Sequence, residues 1–516
     1  MRRTILLCLF LGFFCYQIKA QLSTEEIPYS WGRYKNDIAR QSIPVQTLQS
    51  FDRASIDRED SVNNGNTAPF RFGYPHEVNL SLYNSGTWQT TSDSGRLWTL
   101  RIYSQDALSL NLLYDKFWLP EGAKFFIYST DKQQYIGAFT SQNNKGDKDN
   151  NLGFATSLLF TNDIVLEYYE PKGINDTGII SVSHIVSGYR YIFDIVKSRD
   201  GELLSCHNDI NCIEGANWRQ EKNAVAYVIM GWYGGGSGAL LNTTANDNTP
   251  IFLSAYHCFN LSASTTQWIF YWNYESTTCD GEATIDNNKT TIGADLLAMR
   301  ENTDFMLLKL IEDPAKNRNI TTYYLGWDRS ASSASSGVCI HHPKGAQKKI
   351  SKTDNAIINF SSTFCFNLDN CVRPNTHWQV LFTNGTTESG SSGSPLLNQD
   401  RRVIGQLRGG YGDCPPNVTK YFGRFDLSWD GNDSSVRLRD WLDPNNTTVV
   451  LDGTACNPIN FTNQSVSTDN TIINCNNINV KNVKIKDGAT LILDADGDVT
   501  IESDFEVELG SELEIK

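Results

Sequence analysis

Short apolar runs, many of them alternating with polar positions, recur along most of this chain, and turns rich in glycine, asparagine and serine separate them. That spacing predicts strands. In the first part they fall at 97–103 and 124–128. In the middle part they fall at 224–230, 267–272, 304–310, 378–382 and 403–407. In the last part shorter runs at 480–485, 489–493 and 505–509 recur with Gly488, Gly497 and Gly510 between them. Only 435–442 has a helical pattern, and it stops before Pro444, where a helix should. The reading is an all-β protein: a sandwich, then an antiparallel double barrel, then a small stacked β module whose rungs bury their apolar faces only against one another. Trp31, Trp98 and Trp118 are expected in the core of the sandwich.

A chain of 516 residues is too long for one core. Residues 1–20 read as a secretory signal: Arg2 and Arg3, an apolar run from Thr4 to Tyr16, and Ala20 at the cleavage point. The run is short for a membrane span. Residues 21–200 lack cysteine, 201–455 hold eight cysteines, and 456–516 form the terminal module. Two of the twelve cysteines leave with the signal, and the even remainder favours disulfides in a secreted or cell-surface protein. No Cys-x-x-Cys pair occurs, so neither a metal nor an organic cofactor is expected. The net charge of −14 argues against nucleic acid or an anionic membrane as partner. A monomer without a membrane span is expected.

The chemistry lies in three segments. Ser389-Gly390-Ser391-Ser392-Gly393-Ser394-Pro395 presents a serine between glycines, just before an apolar strand. Phe252-Leu253-Ser254-Ala255-Tyr256-His257 ends a strand on a histidine, and Asp304 stands at the mouth of another. A serine hydroxyl needs a base of suitable pKa within reach, and the imidazole needs a carboxylate on its other nitrogen. Taken singly, His257 could be a core histidine, Asp304 a turn acid and Ser392 a linker serine. Together, in the order His257, Asp304, Ser392, they predict a catalytic triad, with the N–H groups of Gly390 and Ser392 as oxyanion hole.

From here the chain resembles the secreted bacterial lysyl endopeptidases, a branch of the trypsin-like serine proteases. The likeness covers about 201–455. It is carried by Ser205-Cys206, Tyr271-Trp272-Asn273-Tyr274, Gly326-Trp327-Asp328-Arg329, Ile340-His341-His342-Pro343, the Ser392 loop and Asp440-Trp441-Leu442-Asp443-Pro444, among other stretches. The resemblance implies a two-barrel fold, Ser392 as nucleophile, His257 as base then acid, and bridges Cys206–Cys414 and Cys212–Cys279. It places the mature start near Gly201, with Lys197, Arg199 and Asp200 as cleavage points, so that 21–200 is a propeptide or else a permanent binding domain. Protein or peptide substrates and the chain's own propeptide are the implied partners. The terminal module resembles sorting or surface-retention modules of exported bacterial proteins.

The chain departs from the family in three places. The strand before His257 has no cysteine to bridge Cys258, which is left free or paired with Cys339. Cys365 with Cys371, and Cys456 with Cys475, are candidate local pairs. The pocket aspartate expected for lysine selection is replaced by Lys420, and a family histidine by Arg408. Both are read as substrate-binding cations that favour Asp or Glu before the cut, unless Asp413 reaches the pocket floor. Ser391 stands where chymotrypsin has the aspartate that pairs with a new N-terminus. The rival reading is a surface adhesin with a protease-like domain that no longer cuts.

Overall fold

The computed structural model describes residues 26–32, 43–63, 70–174, 176–190, 192, 203–259, 264–317, 319–366, 371–416, 418–456, 458–474, 476–495 and 498–516. The expected signal segment, and Lys197, Arg199, Asp200 and Gly201, lie outside them.

The protein is all-β, as the alternating runs require. In the first region a six-stranded sheet runs through Arg96–Tyr103, Asp163–Glu170 and Lys124–Ser129, and a four-stranded sheet through Gly73–Ser81, Ile179–Gly188 and Ser109–Trp118. Both contribute inward side chains to one core that includes Trp98, Leu112, Phe117, Phe125 and Ile185. This is a sandwich. Trp98 lies in its core, whereas Trp31 and Trp118 are only half-buried and not the core residues expected. Each is a large ring at the margin, and a lysine ammonium covers it: Lys132 over Trp31 and Lys148 over Trp118. A helix at Arg53–Asn63 was not legible in the pattern. Ile56 is buried, and ion pairs from Arg71 and Arg190 to Asp60 hold the helix in place.

The middle region holds two curled antiparallel sheets. In the first, the edge strands Thr290–Ile292 and Ala294–Arg300 are consecutive in sequence, with only Gly293 between them. The sheet must therefore close on itself. Gly293, at φ +81°, donates its N–H to Trp268 O at 2.9 Å and accepts from Ile311 N at 2.9 Å, joining both edges. The second sheet runs Lys349–Thr353, Gly337–His341, Pro395–Asn398, Val403–Tyr411, Thr419–Arg424, His377–Leu381. It closes where Lys352 exchanges bonds with Thr383 and Asn384, just past its last long strand. The stretch 435–442 is not one helix. It splits into single turns at Ser434–Val436 and Arg439–Leu442, because Arg437 between them is extended.

The sandwich core runs on into the first barrel. Tyr227, Ile229, Ile269, Tyr271 and Ile292 of the barrel belong to the same buried cluster as the sandwich residues. Phe70–Arg71 adds a strand to Tyr233–Leu241, pairing at Tyr233 and Gly234. Residues 459–515 form parallel rungs: Ile459–Val466 pairs with Ile478–Ile485, and Asn470–Asn474 with Thr490–Ala495. Each coil thus uses two of the apolar runs, and a run pairs with the next but one. Ile478, Val480, Leu491 and Leu493 stack inside, while Asn460 meets Asn479 and Asn463 meets Asn482 outside.

Candidate active site

The strand Ile251–Ala255 ends in a single turn, Tyr256–Phe259, which carries His257. The adjacent strand Phe305–Leu310 pairs with it residue for residue, Ala255 opposite Phe305. Asp304 therefore arrives beside His257. Asp304 is left-handed, at φ +54°, a conformation that aspartate tolerates better than most residues. The turn points its carboxylate back: Oδ1 accepts from the His257 N–H at 3.0 Å, and Oδ2 lies 2.9 Å from His257 Nδ1. Asp304 is wholly buried. Burial alone would raise its pKa, but the Arg408 guanidinium and His257 outweigh that and hold it below the usual carboxylate value.

The Ser392 loop is pinned to the same place through the backbone. Ser237 N donates to Ser392 O at 2.7 Å, and Gly393 N to Leu407 O at 2.9 Å. Ser237 Oγ donates to Gly390 O at 2.9 Å, and Lys344 N to Ser389 O. These bonds turn the Gly390 and Ser392 N–H groups away from the protein's own acceptors, and among the described residues neither donates a hydrogen bond. Gly390 sits at φ +91°, and a Cβ there would lie 2.9 Å from Lys344 N, so only glycine fits. No hydrogen bond joins His257 Nε2 to the Ser392 hydroxyl: Nε2 is buried and without a partner among the described residues. Such contacts commonly tighten only when substrate is bound.

Ser391 donates to or accepts from His341 Nδ1 at 2.8 Å, and His341 Nε2 meets Ser351 Oγ at 2.9 Å. Burial drives the His341 pKa well below its ordinary value, so the ring is neutral. Ser391 is thus held in a buried, uncharged relay with His341 and Ser351.

Arg408 reaches the Asp304–His257 pair. Its Nη1 donates to Asp304 Oδ1 at 2.9 Å, and both side chains are buried. Where the sequence reading has Arg408 as a substrate-binding cation, the structure shows its guanidinium paired with a buried carboxylate. Sequence reasoning missed this, because Arg408 and Asp304 are distant in the chain and no local motif links them. It also missed His377, buried within electrostatic reach of Asp304, Arg408 and His257, which burial pushes down to about 4. Lys420 lies one strand away, paired with Gly410. Asp413 is exposed and lies within electrostatic reach of Lys420.

Cys206 is bonded to Cys414, Cys212 to Cys279 and Cys365 to Cys371. Cys456 is also disulfide-bonded, and Cys475 lies outside the described residues. Cys258 and Cys339 are free, buried thiols and do not pair with each other, since they sit in the separate cores of the two barrels. The vacant partner position of Cys258 is Gly236, where a Cβ would lie 3.2 Å from Cys258 Sγ. Gly236→Cys is therefore expected to bridge to Cys258, displacing the tip of Met230 and pressing on the Ser392 carbonyl oxygen, which would lie 3.1 Å from the new Cβ. Peptide mapping after alkylation of the denatured, unreduced protein checks this, and a Cys258 that stays alkylated refutes it.

Residues 201–423 match the family model "Lysyl endopeptidase, C-terminal domain". This region is lysyl endopeptidase-like. The lysyl endopeptidase of Pseudomonas aeruginosa is 30% identical over 222 residues, which are 41% of this chain and 45% of that protein, so the chain spans less than half the length of this relative. Among solved structures, the active form of the Rv3671c protease from M. tuberculosis is similar at 14% identity and a TM-score of 0.29, over 44% of this chain and 87% of that one. An HtrA-type protease crystallised with a tripeptide is similar at 15% identity and the same TM-score, over 42% and 60%. The lysyl endopeptidase-like region contains every residue of the candidate site.

Proposed function

We propose that the chain is an exported serine endopeptidase made as a precursor. Ser392 Oγ attacks the scissile carbonyl carbon while its proton passes to His257 Nε2. The oxyanion forms against the N–H groups of Gly390 and Ser392. Collapse breaks the C–N bond, the leaving amine takes the proton from Nε2, and water then hydrolyses the acyl-enzyme by the same route. Asp304 stays ionised throughout and orients the ring. The observation that carries this reading is the conjunction of a buried Asp304–His257 pair with two uncommitted N–H groups on the Ser392 loop.

Regions 21–200, 201–455 and 456–516 are read as propeptide, protease domain and surface-retention module. Continuity of the sandwich core with the first barrel supports a first region that assists folding and stays docked after cleavage. Ile192, at its end, packs on Gly345 in the turn that buttresses Gly390. Disulfides accord with export, and no helix among the described residues is long and apolar enough to cross a membrane.

A serine-reactive fluorophosphonate tests the reading. Ser392 in the secreted protein is expected to be labelled, and Ser392→Ala to remain unlabelled. A wild-type protein that takes no label, with its melting transition intact, would favour the adhesin reading instead.

A further inference from the structure

Lys420 is a buried cation with little to bind. Tyr421 packs its ring on Phe360 and Phe364 on one face of the second barrel's sheet. Side chains alternate along a strand, so Lys420 and Phe422 face the other way. Phe422 lies in the barrel core, and Lys420, on the same face, comes within electrostatic reach of Glu388 in the loop that leads to Ser392. The residue is 5% exposed, and among the described residues its Nζ makes one hydrogen bond, to Gly412 O at 3.3 Å. An ammonium has three donors. Among the described residues it makes no direct ion pair.

The nearby carboxylates do not satisfy it. Glu388, four residues before Ser392, lies within electrostatic reach but is already committed: Lys344 Nζ at 2.8 Å, His207 Nε2 at 2.8 Å and Leu204 N at 3.3 Å. Asp413, the other carboxylate in reach, is exposed. The His341 ring, also facing Lys420, is neutral. In the same loop Thr386 keeps a buried hydroxyl without a partner among the described residues.

We infer that Lys420 is the floor of an anion subsite that receives the side-chain carboxylate of the residue preceding the scissile bond, so that cleavage follows glutamate or aspartate. This rests on the serine endopeptidase reading above. A lysine side chain approaching Lys420 would meet a buried ammonium that no carboxylate pairs directly, in a medium of low dielectric where like charges repel strongly. An incoming carboxylate supplies the acceptor that the buried Nζ lacks.

The charge on Lys420 also sets a pH dependence. Burial pulls its pKa down to about 8, against the opposite influence of Glu388 and Asp413. Above that pH the free enzyme loses the cation, so kcat/KM for acidic substrates falls while that for a neutral residue at the same position does not.

The test is a peptide library that varies only the residue before the cut, digested by the secreted full chain, with fluorophosphonate labelling of the same preparation. A preference for Glu or Asp of tenfold or more, with the loss above about pH 8, is expected. Lys420→Met should reduce cleavage after Glu about a hundredfold while Ser392 still takes the label. Preference for lysine, or for an apolar residue, would overturn the subsite and leave the protease reading standing. Labelling without cleavage of any peptide would also overturn it, since Lys420 would then plug its own pocket. A preparation that neither labels nor cuts overturns the protease reading, and the subsite falls with it.

Discussion

Ser392→Ala, His257→Ala and the double variant are each expected to lower kcat by about a millionfold, with no further loss on combining them. The reason is that the hydroxyl and the imidazole act as one device. Without Nε2 to accept its proton the alcohol does not ionise, and without the alcohol the base has nothing to activate. What survives, roughly a thousandfold or more over water, comes from substrate binding and the N–H groups of Gly390 and Ser392, which neither substitution removes. Peptide cleavage followed by mass spectrometry, with melting curves to show that the variants fold, measures this. Single variants whose losses multiply in the double would mean that the two residues work separately. That would count against the buried arrangement in which Asp304 fixes His257 at 2.9 Å.

Asp304→Asn should cost about ten-thousandfold in kcat, and in this protein it should cost stability as well. Asp304 faces two partners: it orients His257 through Nδ1 and neutralises Arg408 at 2.9 Å. An amide orients the wrong tautomer and leaves the guanidinium buried without a counter-charge. Breaking a buried pair in that way costs about 3–5 kcal/mol, which thermal melting would register. The folded-state pKa of Asp304 lies below its unfolded value. Its contribution to stability is therefore complete above about pH 4 and disappears as the pH falls through the folded value. The asparagine variant should lack that acid limb. A variant that melts like the wild type would show that Arg408 finds another partner, and that the ion pair is not what holds the acid in place.

Much of this protein was determined by its sequence alone. The period-two alternation called strands from one end to the other, because a half-buried strand must place apolar side chains on every second position. The candidate site was legible for a similar reason. Ser392, His257 and Asp304 each sit at a strand end with a local signature of small residues or a bordering apolar run. Gly390 was legible because its left-handed backbone admits no side chain. The helix at Arg53–Asn63 escaped notice because it is tied down by ion pairs to Arg71, beyond its C-terminal end, and to Arg190, far away in the chain.

Tertiary structure alone decided where the cations go. Arg408 and Lys420 stand on neighbouring strands with opposite fates. Arg408 is held by a buried carboxylate that arrives from the first barrel, and among the described residues Lys420 Nζ donates to a carbonyl. Tertiary structure also left Cys258 opposite a glycine and carried the sandwich core into the barrel wall. The physical reason is range. Alternation, turns and strand ends are written between near neighbours, whereas a charge or a thiol takes its character from whichever distant residue the closed sheet brings against it.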